Sequence, residues 1–251
     1  MFIKKNKVSV LICTYNAEKF IKKTLKNLFQ QEYKNYEVLI FDDKSTDNTL
    51  QILNKFKNKI NIFHNIKRGP YGGLNYLLKY CKGDYIAIQD HDDLWMKEKL
   101  KEQVDFLTNN NYLAVGSNIL YYYEKFDKFV PNTRCSEPNS VPHTTLMFRN
   151  NGFKYNTNYD FADEHFQKKI LFKKGKIKCL NKFLAIRRMR FDNNNLSIQR
   201  TKLNFKKTKE LLYLNYNNPK YLISILKNNI FPKKKMDNKG IRVDKYLEKF
   251  L

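Results

Sequence analysis

The chain has 251 residues, 42% hydrophobic and 29% charged, enough for one large domain and too apolar for a disordered tail. No apolar run reaches the roughly 20 residues that a membrane-crossing helix needs. A formal net charge of +24 attracts anions without choosing among nucleic acid, acidic lipid and phosphorylated small molecules, and an AT-rich coding sequence would enrich Lys and Asn in any protein.

Basic residues open the chain, but the apolar run after them ends at Thr14. Val8–Cys13 (VSVLIC) therefore predicts a buried first strand rather than a signal peptide. Ala17–Gln30 carries Phe20, Ile21, Leu25, Leu28 and Phe29 at helical spacing. Tyr36–Phe41 (YEVLIF) predicts a second strand. A polar turn and a helix over Asn48–Phe56, capped by Asp47 or Thr46, follow. Ile60–His64 is a third strand, Gly69–Gly73 a flexible loop, and Leu74–Cys81 a helix ended by Gly83. Tyr85–Gln89 is a fourth strand and Leu94–Asn109 the next helix. This βαβαβαβ order predicts a mostly parallel sheet with helices on both faces.

The later chain is less regular. Val115–Tyr123 and Ser140–Arg149 predict strands or short turns, Ala162–Phe172 a helix, and Lys182–Arg187 an extended segment. Cys13, Cys81, Cys135 and Cys179 are far apart in sequence and form no CxxC pair. Neither structural zinc nor a disulfide framework is expected, and a reducing compartment fits.

In open α/β sheets, ligands sit beyond the C-terminal ends of the strands. Asn16, Asp42, Asp43, Asp90 and Asp92 all follow strand ends and can converge there. The stretch Asp90-His91-Asp92-Asp93 crowds three carboxylates, which repel one another. A hard divalent ion resolves this repulsion, because such ions take one or two carboxylates plus phosphate and water. Asp92 is the expected direct ligand, Asp90 a ribose or metal-water contact, and Asp93 a cap for the next helix. A solvated turn would fit the stretch equally. Asp42 or Asp43 can accept from a base or a ribose, or build an Asx-turn. The Arg68 guanidinium can meet phosphate or stack on a base.

Taken together, VLICTYN (10–16), IFDDKST (40–46), GGLN ending at Asn75, and DHDDLW (90–95) resemble family 2 of the glycosyltransferases with the GT-A fold. The resemblance covers roughly the first 110 residues and is looser beyond them. It implies an inverting, metal-dependent enzyme of the hexosyltransferase type that uses a nucleotide-diphospho-sugar donor, with UDP the commonest nucleotide. Thr14, Tyr15 and Asn16 would line the nucleotide pocket, and Asp42 or Asp43 would read the base. Arg68 and Asn75 would support the donor. Asp90 and Asp92 would be the DxD pair, with Asp92 on Mn²⁺ or Mg²⁺. The base would be Asp163, with Glu164 as rival; an acidic first helical turn is the plain alternative. His143 and Thr144 resemble an acceptor-side segment. Arg187 and Arg188 resemble a late loop that clamps diphosphate, although the family's histidine is absent and Met189 or Arg190 stands nearby. Asn195-Leu196-Ser197 resembles its continuation.

The expected layout is a catalytic domain over 1–200, with a nucleotide-binding half at 1–110 and an acceptor-binding half at 111–200. A basic helical extension covers 201–251. The expected partners are the donor and a glycan, lipid-linked or protein acceptor. Leu222, Leu226 and Ile230 among lysines allow a peripheral contact with an anionic membrane, with cytoplasmic location otherwise. Nucleic acid is not expected. A catalytically silent nucleotide-binding homologue and a basic nucleic-acid-binding protein are the rival readings.

Overall fold

The computed structural model describes residues 6–64, 68–133 and 141–190. The expected extension over 201–251, its membrane-facing residues and Asn195–Ser197 lie outside these. Nine strands form one sheet among the described residues. In chain order the main elements are β1 Val8–Thr14, α1 Ile21–Leu28, β2 Tyr36–Asp42, α2 Thr49–Asn54, β3 Asn61–Phe63 and α3 Gly69–Leu78. They continue with β4 Tyr85–Asp90, β5 Leu94–Trp95, α4 Lys99–Asn109, β6 Ala114–Tyr123, β7 Lys128–Asn132 and β8 Met147–Arg149. The last are α5 Ala162–His165, a π-helical turn at Phe166–Leu171, α6 Phe172–Lys174 and β9 Ile177–Met189.

The strand order is β3-β2-β1-β4-β8-β6-β9-β5, with β7 on β6. The first four strands are parallel as expected. Beyond β4 the sheet is mixed: β8 is antiparallel to β4 and β6, β5 to β9 and β7 to β6, while β6 and β9 run parallel. A mostly parallel sheet therefore describes only the first half. Side chains alternate across it. Val8, Val10 and Ile12 pack under α1 and α4 with Leu25, Leu28 and Leu100. Leu11, Leu39 and Phe41 face Leu74 and Leu77 of α3, in the cluster that contains Phe148 and Phe166.

One connection bends this sheet. β4 lies mid-sheet and β5 at its edge, four strand steps away, or roughly 19 Å if the sheet were flat. Leu94 follows Asp90 by four residues, which span at most roughly 14 Å. The sheet must curl to bring its β9–β5 edge back over the end of β4.

Several local expectations change. Gly69–Gly73 opens α3 instead of forming a loop. Pro70 suits a first helical turn, and Asp43 accepts from the N–H groups of Arg68 (2.6 Å) and Gly69 (3.1 Å) there. Gly73 is needed for close approach, since a Cβ on it would lie 2.7 Å from Phe41 and 2.8 Å from Cys13 Sγ. Leu94 and Trp95 belong to β5, so α4 starts only at Lys99. Asp93 therefore does not cap that helix. Cys13 and Cys81 are free thiols, but Cys179 on β9 is disulfide-bonded, where the sequence predicts no disulfide framework. Separation along a chain does not fix separation across a sheet.

Lys99 is fully buried. Its Nζ lies 3.8 Å from the centre of the Trp95 ring and donates to Gln103 Oε1 at 2.6 Å. Burial holds its pKa well below the ordinary lysine value. The unfolded chain thus binds this proton more tightly than the fold does, so stability rises with pH up to the unfolded value near 10.4. Lys99→Met should remove up to about 1.4 kcal/mol of that rise per pH unit. Urea midpoints between pH 7 and 9.5 read the slope; parallel curves for the two proteins would contradict it.

Candidate active site

The parallel register brings separate strand ends side by side. Thr14 pairs with Asp42, and Cys13 with Asp90. Asn16 adopts φ 47°, a conformation Asn tolerates well. Its side chain accepts from Thr46 N at 2.8 Å, and its own N–H donates to Ser45 Oγ at 3.0 Å. Asp42 is buried and accepts from Thr14 Oγ1 (2.9 Å), Ser45 N (3.0 Å) and Ser45 Oγ (2.6 Å). The two neighbouring aspartates thus hold two loops: Asp42 the turn after β2, and Asp43 the start of α3. Tyr15 is half exposed beside them. Arg68 is exposed, with its guanidinium 4.9 Å from the Tyr76 ring centre.

The acidic loop is pinned from below by a polar stripe that the sequence reading missed. Thr24 Oγ1 donates to His91 O at 2.8 Å. Asn27 binds both the N–H and the carbonyl of Trp95, at 2.7 and 3.0 Å. Gln31 donates to Met96 O at 2.7 Å and accepts from Leu100 N at 3.0 Å. The available signal was Thr24 and Asn27 on the buried side of α1, with Gln31 following at the same spacing just past its end. His91 turns toward β1, with Nδ1 3.3 Å from Cys13 O.

Each carboxylate of the loop has a different environment. Asp90 is half-buried at the end of β4. Asp92 Oδ2 is ion-paired with Arg190 Nη2 at 2.9 Å. Asp93 is buried, and its Oδ1 accepts from Arg188 N at 3.0 Å. Burial first, then Asp92 and Asp90, push the Asp93 pKa well above the usual carboxylate range; Arg187 opposes them. Among the described residues no group of three or more His, Cys, Asp or Glu could hold a metal ion. Two carboxylates, Asp90 and Asp92, fit a hard cation that keeps phosphate and water ligands, and do not fit one held by protein alone.

The acceptor-side residues reach the same place. His143 Nε2 lies 3.0 Å from the Tyr155 hydroxyl. Asn75 grips the Tyr155 backbone with two bonds of 2.8 Å, and Tyr71 stacks on the Tyr155 ring at 5.6 Å. Burial and then Tyr71, Asp163, Cys13 and Asp90 raise the Tyr155 pKa well above its ordinary value. Burial disfavours the charge on Arg187, but Asp93, Asp90, Tyr121 and Asp163 outweigh it and hold the guanidinium protonated. Asp90 and Asp163 therefore act on the same two side chains. Glu164 points elsewhere, into an ion pair with Lys168 at 2.6 Å. Thr144 is buried, and its carbonyl accepts from Trp95 Nε1 at 2.9 Å. Arg188 reaches out to Glu124 at 2.9 Å. Tyr155 and Tyr71 were not singled out from sequence. Tyr155 lies in an aperiodic polar stretch that carries no signal, and Tyr71 sits between glycines that suggest a loop.

Comparison with known proteins identifies the family. Residues 9–175 match the family described as glycosyl transferase family 2. The chain is 41% identical over 142 residues to the Escherichia coli UDP-Glc:alpha-D-GlcNAc-diphosphoundecaprenol beta-1,3-glucosyltransferase WfaP, covering 56% of this chain and 55% of that protein. It is 34% identical over 149 residues to the Staphylococcus aureus poly(ribitol-phosphate) beta-N-acetylglucosaminyltransferase TarS, covering 56% of this chain and 25% of that one. The crystal structure of S. aureus TarS 1–349 with UDP-GlcNAc superposes with a TM-score of 0.68 at 22% identity, over 89% of this chain and 71% of that one. The chain spans about half the length of the first curated relatives it matches. No helix among the described residues is long and apolar enough to cross a membrane.

Proposed function

The chain belongs to glycosyl transferase family 2, and from that premise we propose that it moves a hexose from a UDP-sugar to a hydroxyl of a glycan, lipid-linked or protein acceptor, inverting the anomeric carbon. The observation that carries the reading is the parallel register, which sets Asp42 and Asp90 at neighbouring strand ends, opposite Thr14 and Cys13 of β1. Asp163 bears electrostatically on Arg187 and Tyr155, as Asp90 does, and a single displacement needs a carboxylate on each side of the reacting carbon. The UDP-sugar donor draws support from WfaP, named for UDP-Glc, and from the TarS complex with UDP-GlcNAc. WfaP also supports a lipid-linked acceptor.

Asp163 is the proposed base. It takes the proton of the acceptor hydroxyl as that oxygen bonds to the anomeric carbon. The bond from this carbon to the diphosphate breaks on the opposite face, and the nucleoside diphosphate leaves with the electron pair. Asp93, Asp90, Tyr121 and Asp163 together help keep Arg187 a cation. The Glu164–Lys168 pair supports Asp163 over Glu164. Asp90 and Asp92 would hold Mn²⁺ or Mg²⁺ jointly with the diphosphate, and the ion supplies positive charge against the departing group. Thr14, Asn16, Asp42, Asp43 and Arg68 shape the rim on which the nucleotide would lie, and Tyr15 offers an exposed ring there.

The test is a thermal-shift panel of UDP, GDP and dTDP with their sugars, with and without Mn²⁺. Ligands that bind the native state raise its melting temperature. The expected result is a shift with UDP that Mn²⁺ enlarges and Asp92→Ala diminishes. No shift with any nucleotide would refute the reading.

A further inference from the structure

Three arginines from the end of β9 reach the Asp90–Asp93 loop, and they are not equivalent. Arg187 is half-buried on β9, in register with Tyr121 of β6. Arg188 is spent in several directions: its N–H on Asp93, its Nε on Asp92 O at 3.4 Å and its Nη1 on Glu124. Arg190 meets the carboxylate of Asp92 at 2.9 Å, with both side chains about one-eighth exposed (12% and 13%). Its guanidinium also lies 4.8 Å from the ring centre of Phe20, a ring shared with Arg188 at 5.1 Å.

We infer that Arg190 occupies the cation's place at Asp92 in the ligand-free protein, and that it transfers to the donor's diphosphate when a divalent ion takes Asp92. The inference rests on the nucleotide-sugar reading and deepens it. Its basis is charge balance within one loop. Asp92 is ion-paired with Arg190, and Asp93 accepts from the Arg188 N–H. A divalent ion arriving alone would add charge to a cluster already compensated. It would also break the Arg190–Asp92 pair in a mostly buried setting, which is costly. A diphosphate arriving with the ion removes both penalties. It restores the charge balance and offers the planar guanidinium a partner suited to paired hydrogen bonds. Ion and nucleotide therefore bind cooperatively, and Arg190 is the coupling group.

The experiment uses the full chain, with Mn²⁺ affinity read by electron paramagnetic resonance and UDP affinity by calorimetry. In wild type, UDP should tighten Mn²⁺ binding roughly tenfold, within the usual range of coupling between sites. Arg190→Gln should tighten binding of Mn²⁺ alone roughly tenfold and weaken UDP binding measured in chelator. Arg190→Lys keeps the charge and should keep the weak Mn²⁺ binding of wild type. Equal wild-type Mn²⁺ affinity with and without UDP would overturn the inference without using any variant. UDP binding by wild type, combined with unchanged Mn²⁺ affinity in Arg190→Gln, would overturn it and leave the donor reading standing. No UDP binding by wild type, with or without Mn²⁺, would overturn both.

Discussion

Asp163→Asn is expected to lower the rate of sugar transfer by about 10²–10⁴-fold, the usual contribution of a positioned general base, with UDP affinity nearly unchanged. The amide keeps the shape of the carboxylate but cannot take the acceptor's proton. Asp163 is expected to matter because it lies in the first turn of α5, on the side proposed for the acceptor, and bears electrostatically on Arg187 and Tyr155. Glu164→Gln is the control. Glu164 sits one residue on, but its carboxylate is committed to Lys168, and losing that pair should change the rate by no more than about a few-fold. The assay is initial-rate transfer, or donor hydrolysis if no acceptor is available, beside calorimetric UDP binding. If Glu164→Gln were the inactive variant, the assignment of the base would reverse.

The second large effect concerns stability. Trp95→Ala should cost about 3–5 kcal/mol, as truncating a large buried aromatic usually does. Domains of this kind hold about 5–15 kcal/mol in total, so the variant should be close to unfolding. Trp95 is buried, and its indole N–H holds the Thr144 carbonyl while its ring packs against Lys99 Nζ. Its backbone is fixed by Asn27. Trp95→Phe keeps most of the packing and leaves that carbonyl without its donor, so about 1–3 kcal/mol is expected. Urea unfolding separates the two. A loss below about 1 kcal/mol for Trp95→Ala, against the usual 3–5, would mean that the loop is not anchored through this residue.

The parallel half of the fold was legible because its strands are buried on both faces and read as unbroken apolar runs, as in VSVLIC and YEVLIF. The same runs placed Asp42, Asp43 and Asp90 at strand ends, and hence at the site. The second half resisted for identifiable reasons. β5 is two residues long and exists only because Leu94 and Trp95 pair with Ile186 and Ala185, a partnership no local pattern encodes. The glycines of 69–73 have weak helical preference, and the cap that favours their helix comes from Asp43, just past the end of β2. The residue types of the acidic loop were readable, but its counter-ions were not. Nothing near Arg190 in sequence indicates that it faces Asp92.

That long-range pairing has a consequence for the order in which the molecule can be made. A ribosome adds about 5–20 residues each second, and Asp93 is separated from its partner Arg188 by 95 positions. During synthesis the loop emerges roughly 5–20 s before the strand that neutralises it. The parallel half can pack in that interval, since β1, β2, β3 and β4 are already complete. The acidic turn cannot adopt its buried form, because Asp93 has no backbone donor and Asp92 no guanidinium until residues 188–190 appear. The acidic loop after β4 is therefore finished by β9, and a nascent chain stalled before β9 would carry the parallel framework without the buried form of that loop.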